Sequence, residues 1–376
     1  MAEPVITKAP QPAPPPAQNF GGKISGWIEK PRKISLTQKI FFVQQLGVMI
    51  KSGISLAVAL KTLAEQTTSK GFAKILKNLE QSVEKGNLLS KGLKDYEKLF
   101  GELFISMIEA GETSGRLEDV LKQLFVQMKK DHEIIAKVRG AMIYPAIVVT
   151  MMLVIGSLMM VYVVPTIAGV FTELNADLPL ATRILIWVSN FSVSYGIYVV
   201  VGIIALVIIL NRLVATKRGK EIFHQLILST PVAGKIVKKI NIARFSRSMS
   251  SLLKTDIPIV SSFEITGKIL SNVIYRNALL EAREKIKKGV NIQQSLAPYR
   301  KLFPPVVLQM IAVGEETGAL DDILEESAIF YEEDVSQTME NLPSLIEPIL
   351  MVVLGIGVGG MAVAVIMPLY SLSETI

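Results

Sequence analysis

Few residues in this chain are equipped to make or break bonds. It has no cysteine and only two histidines, His132 and His224, so thiolate nucleophiles, disulfides and cysteine metal sites are excluded. His132-Glu133-Ile134-Ile135-Ala136 opens as a zinc-binding His-Glu-x-x-His helix would, but Ala136 stands where the second ligand belongs. It reads as a polar helix face. Gly219-Lys220, Gly234-Lys235 and Gly267-Lys268 each lack the following Ser or Thr and the upstream glycine of a phosphate-cradling loop. With no nucleophile-base pair and no metal set, the chain is expected to be no enzyme, to need no cofactor and not to hydrolyse ATP itself.

Two other groupings are chemically suggestive. Glu315, Glu316, Asp321, Asp322, Glu325, Glu326, Glu332, Glu333 and Asp334 make one segment strongly acidic. A solvated face or a docking surface for a basic partner fits it better than a cation site, because EF-hand spacing is missing. The segments Gly111-Glu112-Thr113-Ser114-Gly115-Arg116-Leu117 and Gly314-Glu315-Glu316-Thr317-Gly318-Ala319-Leu320 are near copies. As architecture, their glycines supply turn dihedrals, and Thr113 or Ser114 and Thr317 cap the following helix. As a docking surface, an exposed carboxylate on each turn would meet a partner's lysine or arginine. Both readings stay open at this level.

The elements that must position these turns are helical and partly membrane-bound. Half of the residues are hydrophobic and 19% are charged, too apolar a balance for an ordinary soluble domain. No charge interrupts Gly140 to Thr172, and the apolar run Ala141 to Val164 gives roughly 36 Å of helix, enough to cross a bilayer. A second uncharged run lies between Arg183 and Arg212, and a third apolar run, broken only by Glu347 near its start, extends from about Leu345 to Tyr370. Lys129, Lys130, Lys137 and Arg139 precede the first, and Arg212, Lys217, Arg218 and Lys220 follow the second, while only Arg183 lies between them. Basic residues resist export, so that loop is expected outside and residues 1–140 and 212–343 in the cytoplasm. The net charge of +7 is thereby a juxtamembrane bias, not a nucleic-acid surface.

Residues 42–121 align with 245–324 at a constant offset of 203 and no gap, with 12 of the 26 positions from Tyr96 to Leu121 identical. The offset also pairs Pro145 with Pro348 and Pro165 with Pro368, making the first and third spans equivalent. The middle span then returns the chain for a second copy in the same orientation. Within a copy the apolar spacing is helical, beginning with a Ser35/Gln38 capping box and a stop at Gly53. The expected fold is an all-α integral membrane protein with two tandem cytoplasmic helical-bundle repeats, about six helices each, plus three transmembrane helices. The bounds are a disordered proline-rich tail (1–34), domain 1 (35–140), span one (141–168), a periplasmic loop (169–183), span two (184–211), domain 2 (212–343), span three (344–370) and a periplasmic C-terminus (371–376).

The doubled Gly-Glu-x-(Ser/Thr)-Gly-x-Leu turn resembles the signature of the type II secretion system protein F family. Tyr144-Pro145-Ala146, Val164-Pro165 and Leu178-Pro179 with Thr182 agree with it, and the likeness covers about residues 35–372. It implies a non-enzymatic, multi-pass platform of the bacterial inner membrane, N-terminus cytoplasmic, serving a type IV pilus or type II secretion system. The implied partners are a cytoplasmic hexameric ATPase, a pilin or pseudopilin, other inner-membrane assembly proteins, the lipid bilayer and further copies of the chain. Gly111, Glu112, Gly115, Leu117, Gly314, Glu315, Gly318 and Leu320 are then candidates for partner docking. Gly355 and Gly359, one Gly-x-x-x-Gly step, with Pro145, Pro165, Pro348 and Pro368, are candidates for transmembrane packing. The chain departs from the family in its proline-rich start and in Thr255-Asp256-Ile257-Pro258, which replaces Ser52-Gly53-Ile54-Ser55; Asp256 is expected to tolerate the left-handed turn.

Overall fold

The computed structural model describes residues 34–173 and 180–373, and all the regular structure among them is helical. The first copy comprises α1 (Leu36–Lys51), α2 (Leu56–Gln66), α3 (Lys70–Glu84), α4 (Leu89–Lys94), α5 (Glu97–Phe100), α6 (Glu102–Ser114) and α7 (Leu117–Leu158). A π-helical turn, Met159–Val163, joins α7 to α8 (Val164–Glu173). Between the copies lie α9 (Leu180–Ala215) and α10 (Lys217–Ser229). The second copy comprises α11 (Ala233–Leu253), α12 (Ile259–Ile269), α13 (Val273–Ile286), α14 (Ile292–Leu296), α15 (Pro305–Thr317) and α16 (Leu320–Ser373). The 203-residue offset maps the first residues of α2, α3, α4, α6 and α7 onto those of α12, α13, α14, α15 and α16.

Local rules account for the boundaries. Ser35 and Gln38 form the capping box, each side chain 3.2 Å from the other's backbone nitrogen. After α1 the chain turns at Gly53, φ 78°, and its equivalent after α11 is Asp256, φ 61°, the one non-glycine residue with positive φ among those described. The Asp256 carboxylate also accepts a hydrogen bond from Arg116 in the other copy at 2.7 Å, so the strained position ties the copies together.

The two cores are not separate. One gathers Phe42, Leu46, Phe72, Met107 and Leu121 of the first copy and takes in Leu252, Ile257 and Ile265 of the second. The other is built around Phe245, Phe263, Tyr275 and Phe303 and takes in Ile134 of α7, with Val138 and Ala141 packed against it. The helical spacing of Leu117, Val120, Leu121, Leu124 and Met128 continues to Ile135 and Val138, yet Ile135 is exposed and Ile134 buried. The helix changes partner there, from its own core to its neighbour's, and its apolar stripe turns with it.

Among the described residues, the helical stretches Leu117–Thr166 and Leu320–Val363 are long and apolar enough to cross a membrane. Helix extends to Glu173, past the expected end of span one at 168, and resumes at Leu180, before 184. Part of the expected 169–183 loop is thus helical. The tail through Lys33, Leu178-Pro179 and the last residues of the C-terminus lie outside the described residues.

Pro165 explains the π turn. Val164 donates to the Met159 carbonyl, one residue farther back than in an α-helix, so in that register the Met160 carbonyl would look to residue 165, which is proline and has no N–H. The Ser189 hydroxyl of α9, buried against this turn, donates to the Met160 carbonyl at 2.5 Å. The Ser189 hydroxyl thereby satisfies the backbone group that the proline orphans.

Candidate functional site

The doubled turn sits where α6 meets α7 and where α15 meets α16, and its two glycines do different work. Gly115 and Gly318 end their helices in the left-handed conformation, φ 71° and 73°. Gly111 and Gly314 are buried within α6 and α15. A Cβ at Gly111 would lie 2.8 Å from Val120 Cγ2, and one at Gly314 would lie 2.9 Å from Leu320 Cα, so these glycines let consecutive helices touch. Leu320 is buried and Leu117 half-buried beneath the same crossings.

The carboxylates face inward. Glu112 accepts from the backbone N–H groups of Leu89 and Ser90 at 2.5 and 2.9 Å, and Glu315 from those of Ile292 and Gln293 at 2.7 and 3.3 Å. Each is half-buried and caps the short helix α4 or α14, with a negative charge at a helix N-terminus. Thr113, Ser114 and Thr317 do not cap the next helix as the spacing suggests; their hydroxyls donate to carbonyls four residues back in their own helices. Replacing Glu315 by alanine is expected to cost about 2 kcal/mol, because two donors at a buried helix start lose their acceptor. Faster amide exchange at Ile292 and Gln293 is the measurement, and unchanged exchange would show the cap to be dispensable. Charge reversal at Glu112 or Glu315 therefore acts on folding first.

Four carboxylates of the acidic segment, Asp322, Glu325, Glu332 and Asp334, are paired from within the chain. Arg247, 5% exposed, makes a two-pronged pair with Glu332 at 2.8 and 2.9 Å and reaches Glu325 at 3.3 Å. Lys254 binds Glu325 and Asp322, and Lys239 binds Asp334 at 2.7 Å. For these four carboxylates the basic partners come mainly from α11 and Lys254 at its C-terminal end. Among the described residues, no group of three or more His, Asp or Glu side chains is placed to hold a metal ion.

Between the copies, α7 packs on α11 and α16. Arg244 meets Asp131 at 3.1 Å, Lys268 meets Glu102 at 2.6 Å, and Gln127 bonds Ser248 and Ser251 at 3.4 Å. Lys137 approaches Glu340 at 3.5 Å, its own counterpart under the 203 offset. Gly355 and Gly359 are exposed, with nothing within 4 Å of an added Cβ, so among the described residues no other helix packs on them. Pro145 is buried inside α7 and Pro348 exposed inside α16, and both helices run through without a break. Pro165 is the second residue of α8, and Pro368 lies within α16.

Sequence reasoning missed His224. Its Nδ1 accepts from the Val273 N–H at the start of α13, 3.0 Å away, which requires the neutral ring. Burial, with Lys220 and Arg276 nearby, pulls its pKa below the usual 6.5. A histidine with a depressed folded pKa contributes stability above about 6.5 and loses it as pH falls through that value toward the folded one. Protection of the Val273 amide is expected to decline on acidification from pH 7.5 to about 5.5, and a pH-independent exchange rate, after correction for intrinsic chemistry, would contradict it.

The family model for type II secretion system (T2SS) protein F matches residues 42–165 and 245–368, two segments separated by the same offset as the helices. The chain is 33% identical over 337 residues to the type IV pilus assembly protein PilC of Myxococcus xanthus, covering 90% of this chain and 81% of that protein. It is 34% identical to PilC of Thermus thermophilus, covering 89% and 82%. It is 29% identical to the type II secretion system protein F of Pseudomonas aeruginosa, covering 92% and 85%. With both halves matched and relatives aligned along nearly the whole length, the chain belongs to the type II secretion system protein F family.

Proposed function

We propose that this chain is the inner-membrane platform of a type IV pilus or type II secretion machine, coupling a cytoplasmic hexameric ATPase to extraction of pilin or pseudopilin and growth of the fibre. It crosses the membrane three times, through the apolar parts of α7–α8, α9 and α16, with both helical modules in the cytoplasm. The observation that carries this reading is continuity. In each copy one unbroken run of helix leads from the module's core to an apolar stretch, from Leu117 and from Leu320, so a displacement of the module is passed along a stiff rod rather than lost in a loop. The positive-inside bias supports the orientation. The doubled turns remain the proposed docking places, and with Glu112 and Glu315 engaged internally the exposed Thr113, Ser114, Glu316 and Thr317 would make the contact. The exposed Gly355 and Gly359 would face another copy or the pilin.

The purified chain is expected to bind the assembly ATPase encoded with it, and loss of the gene to abolish fibres or secretion. Absence of binding together with normal fibres in the deletion strain would refute the proposal. A transporter is the rival; the central parts of the three runs have no ionisable residue to line a polar path, and solute flux through vesicles holding only this protein would favour it.

A further inference from the structure

The helix between the two copies, α10, has no counterpart among the described residues of the first copy and no role in either core beyond the partly buried Leu228. Its outer residues are apolar and open: Ile222 is 62% exposed, Phe223 44% and Leu226 64%. The exposed Arg212, Lys217 and Arg218 beside it form no ion pair with an acidic side chain among the described residues.

Both ends of α10 are fixed, each beside the end of an apolar stretch. At its start, the Thr216 hydroxyl donates to the Leu213 carbonyl and accepts from the Gly219 N–H. Gly219 allows this corner, since a Cβ there would lie 2.0 Å from the Leu213 carbonyl oxygen. The first residue of α10 thus adjoins the end of the apolar helix α9. At its far end, Gly234 makes a second corner, where a Cβ would lie 2.6 Å from the Leu228 carbonyl oxygen. From there α11 runs antiparallel to α16: Lys239 meets Asp334 and Thr338, Arg247 meets Glu325 and Glu332, and Lys254 meets Asp322. The same progression sets the start of α11 level with Leu342, just before the apolar run of α16 that begins at Leu345. From below, His224 anchors the helix on the N-terminus of α13.

We propose that α10 lies flat on the cytoplasmic surface of the membrane, with Ile222, Phe223 and Leu226 at the boundary of headgroups and acyl chains and Arg212, Lys217 and Arg218 on the phosphates of anionic lipids. A helix pinned at both ends at the level where apolar helices begin, and backed by a folded module, presents its free face to lipid. Its exposed residues combine apolar rings and chains with cations that meet no acidic side chain among the described residues, the pattern of an interfacial helix on an anionic leaflet. Arg218 stands one helical turn from Ile222, so its stem can lie on the apolar surface while its guanidinium reaches a phosphate. The placement rests on α9 crossing the membrane and ending in the cytoplasm.

The absence of cysteine allows a single label on the full-length protein. With Leu226→Cys carrying an environment-sensitive fluorophore, reconstituted in vesicles of phosphatidylcholine and phosphatidylglycerol, the expected result is quenching by lipids spin-labelled near the headgroup and protection from aqueous iodide. Spin-labelled phosphatidylglycerol should quench more than spin-labelled phosphatidylcholine at equal content. Adding Lys217→Gln and Arg218→Gln should remove that difference, each cation contributing on the order of a fivefold preference. A label open to iodide and untouched by either lipid would overturn the proposal, as would equal quenching by both headgroups in the parent protein. A label at Ile208→Cys on α9 separates the failures. If lipid does not quench it, the crossing by α9 is wrong; if lipid quenches it while Leu226→Cys stays in water, only the placement of α10 is.

Discussion

Replacing Arg247 with methionine is expected to destabilise the protein by about 3–5 kcal/mol, the range for removing one partner of a buried ion pair. The side chain occupies the seam between α11 and α16, and Glu332, 9% exposed, would be left among the described residues with only Lys130, 3.7 Å away. Glu325 would suffer less, because Lys254 also holds it. The large loss comes from the stranded carboxylate and not from the intrinsic worth of the pair. Replacing both residues, Arg247→Met with Glu332→Leu, should therefore recover most of it. Thermal unfolding of the detergent-solubilised full chain measures both; a single variant within about 1 kcal/mol of the parent would show that water reaches the pair.

Gly314→Ala is the second large effect. One methyl group would be forced to 2.9 Å from the Leu320 backbone, and no side-chain rotation relieves a backbone clash. The α15–α16 corner must open, at a cost of about 1–3 kcal/mol, with more for a larger side chain. Gly318, four residues on, has open space around its Cβ position and a left-handed backbone, so Gly318→Asn should be tolerated where Gly314→Asn is not. Comparing the melting temperatures of the two asparagine variants separates close approach from backbone strain. Equal losses would mean that the two glycines serve one purpose.

Much of the fold was legible because the chain states it twice. The offset that aligns Tyr96–Leu121 with its copy also gives the helix starts, and Ser35, Gly53 and Asp256 mark their boundaries by local rules that need no tertiary knowledge. The turn glycines were visible for the same reason, though the sequence could not separate Gly111, which yields space, from Gly115, which supplies a dihedral. What stayed hidden was long-range. Glu112 finds its donors 22 and 23 residues away, so a carboxylate beside a turn looked exposed. Arg247 and Glu332 align with Gln44 and Lys129 in the other copy, and no repeated pattern announced their pairing. The exchange of Ile134 for Leu252, Ile257 and Ile265 between cores depends on how two modules meet, which no periodicity within either one encodes.

Lys137 and Glu340 occupy one and the same place in the two copies, and they touch. If two identical chains met through this contact, each residue would face its own twin, and a lysine would be set against a lysine. Joining the copies in one polypeptide frees the two places to carry different residues, so attraction replaces repulsion at a point where symmetry would forbid it. The price is that neither half remains a suitable partner for itself: a pair made from two first halves would bring like charges together at that junction, and so would a pair made from two second halves.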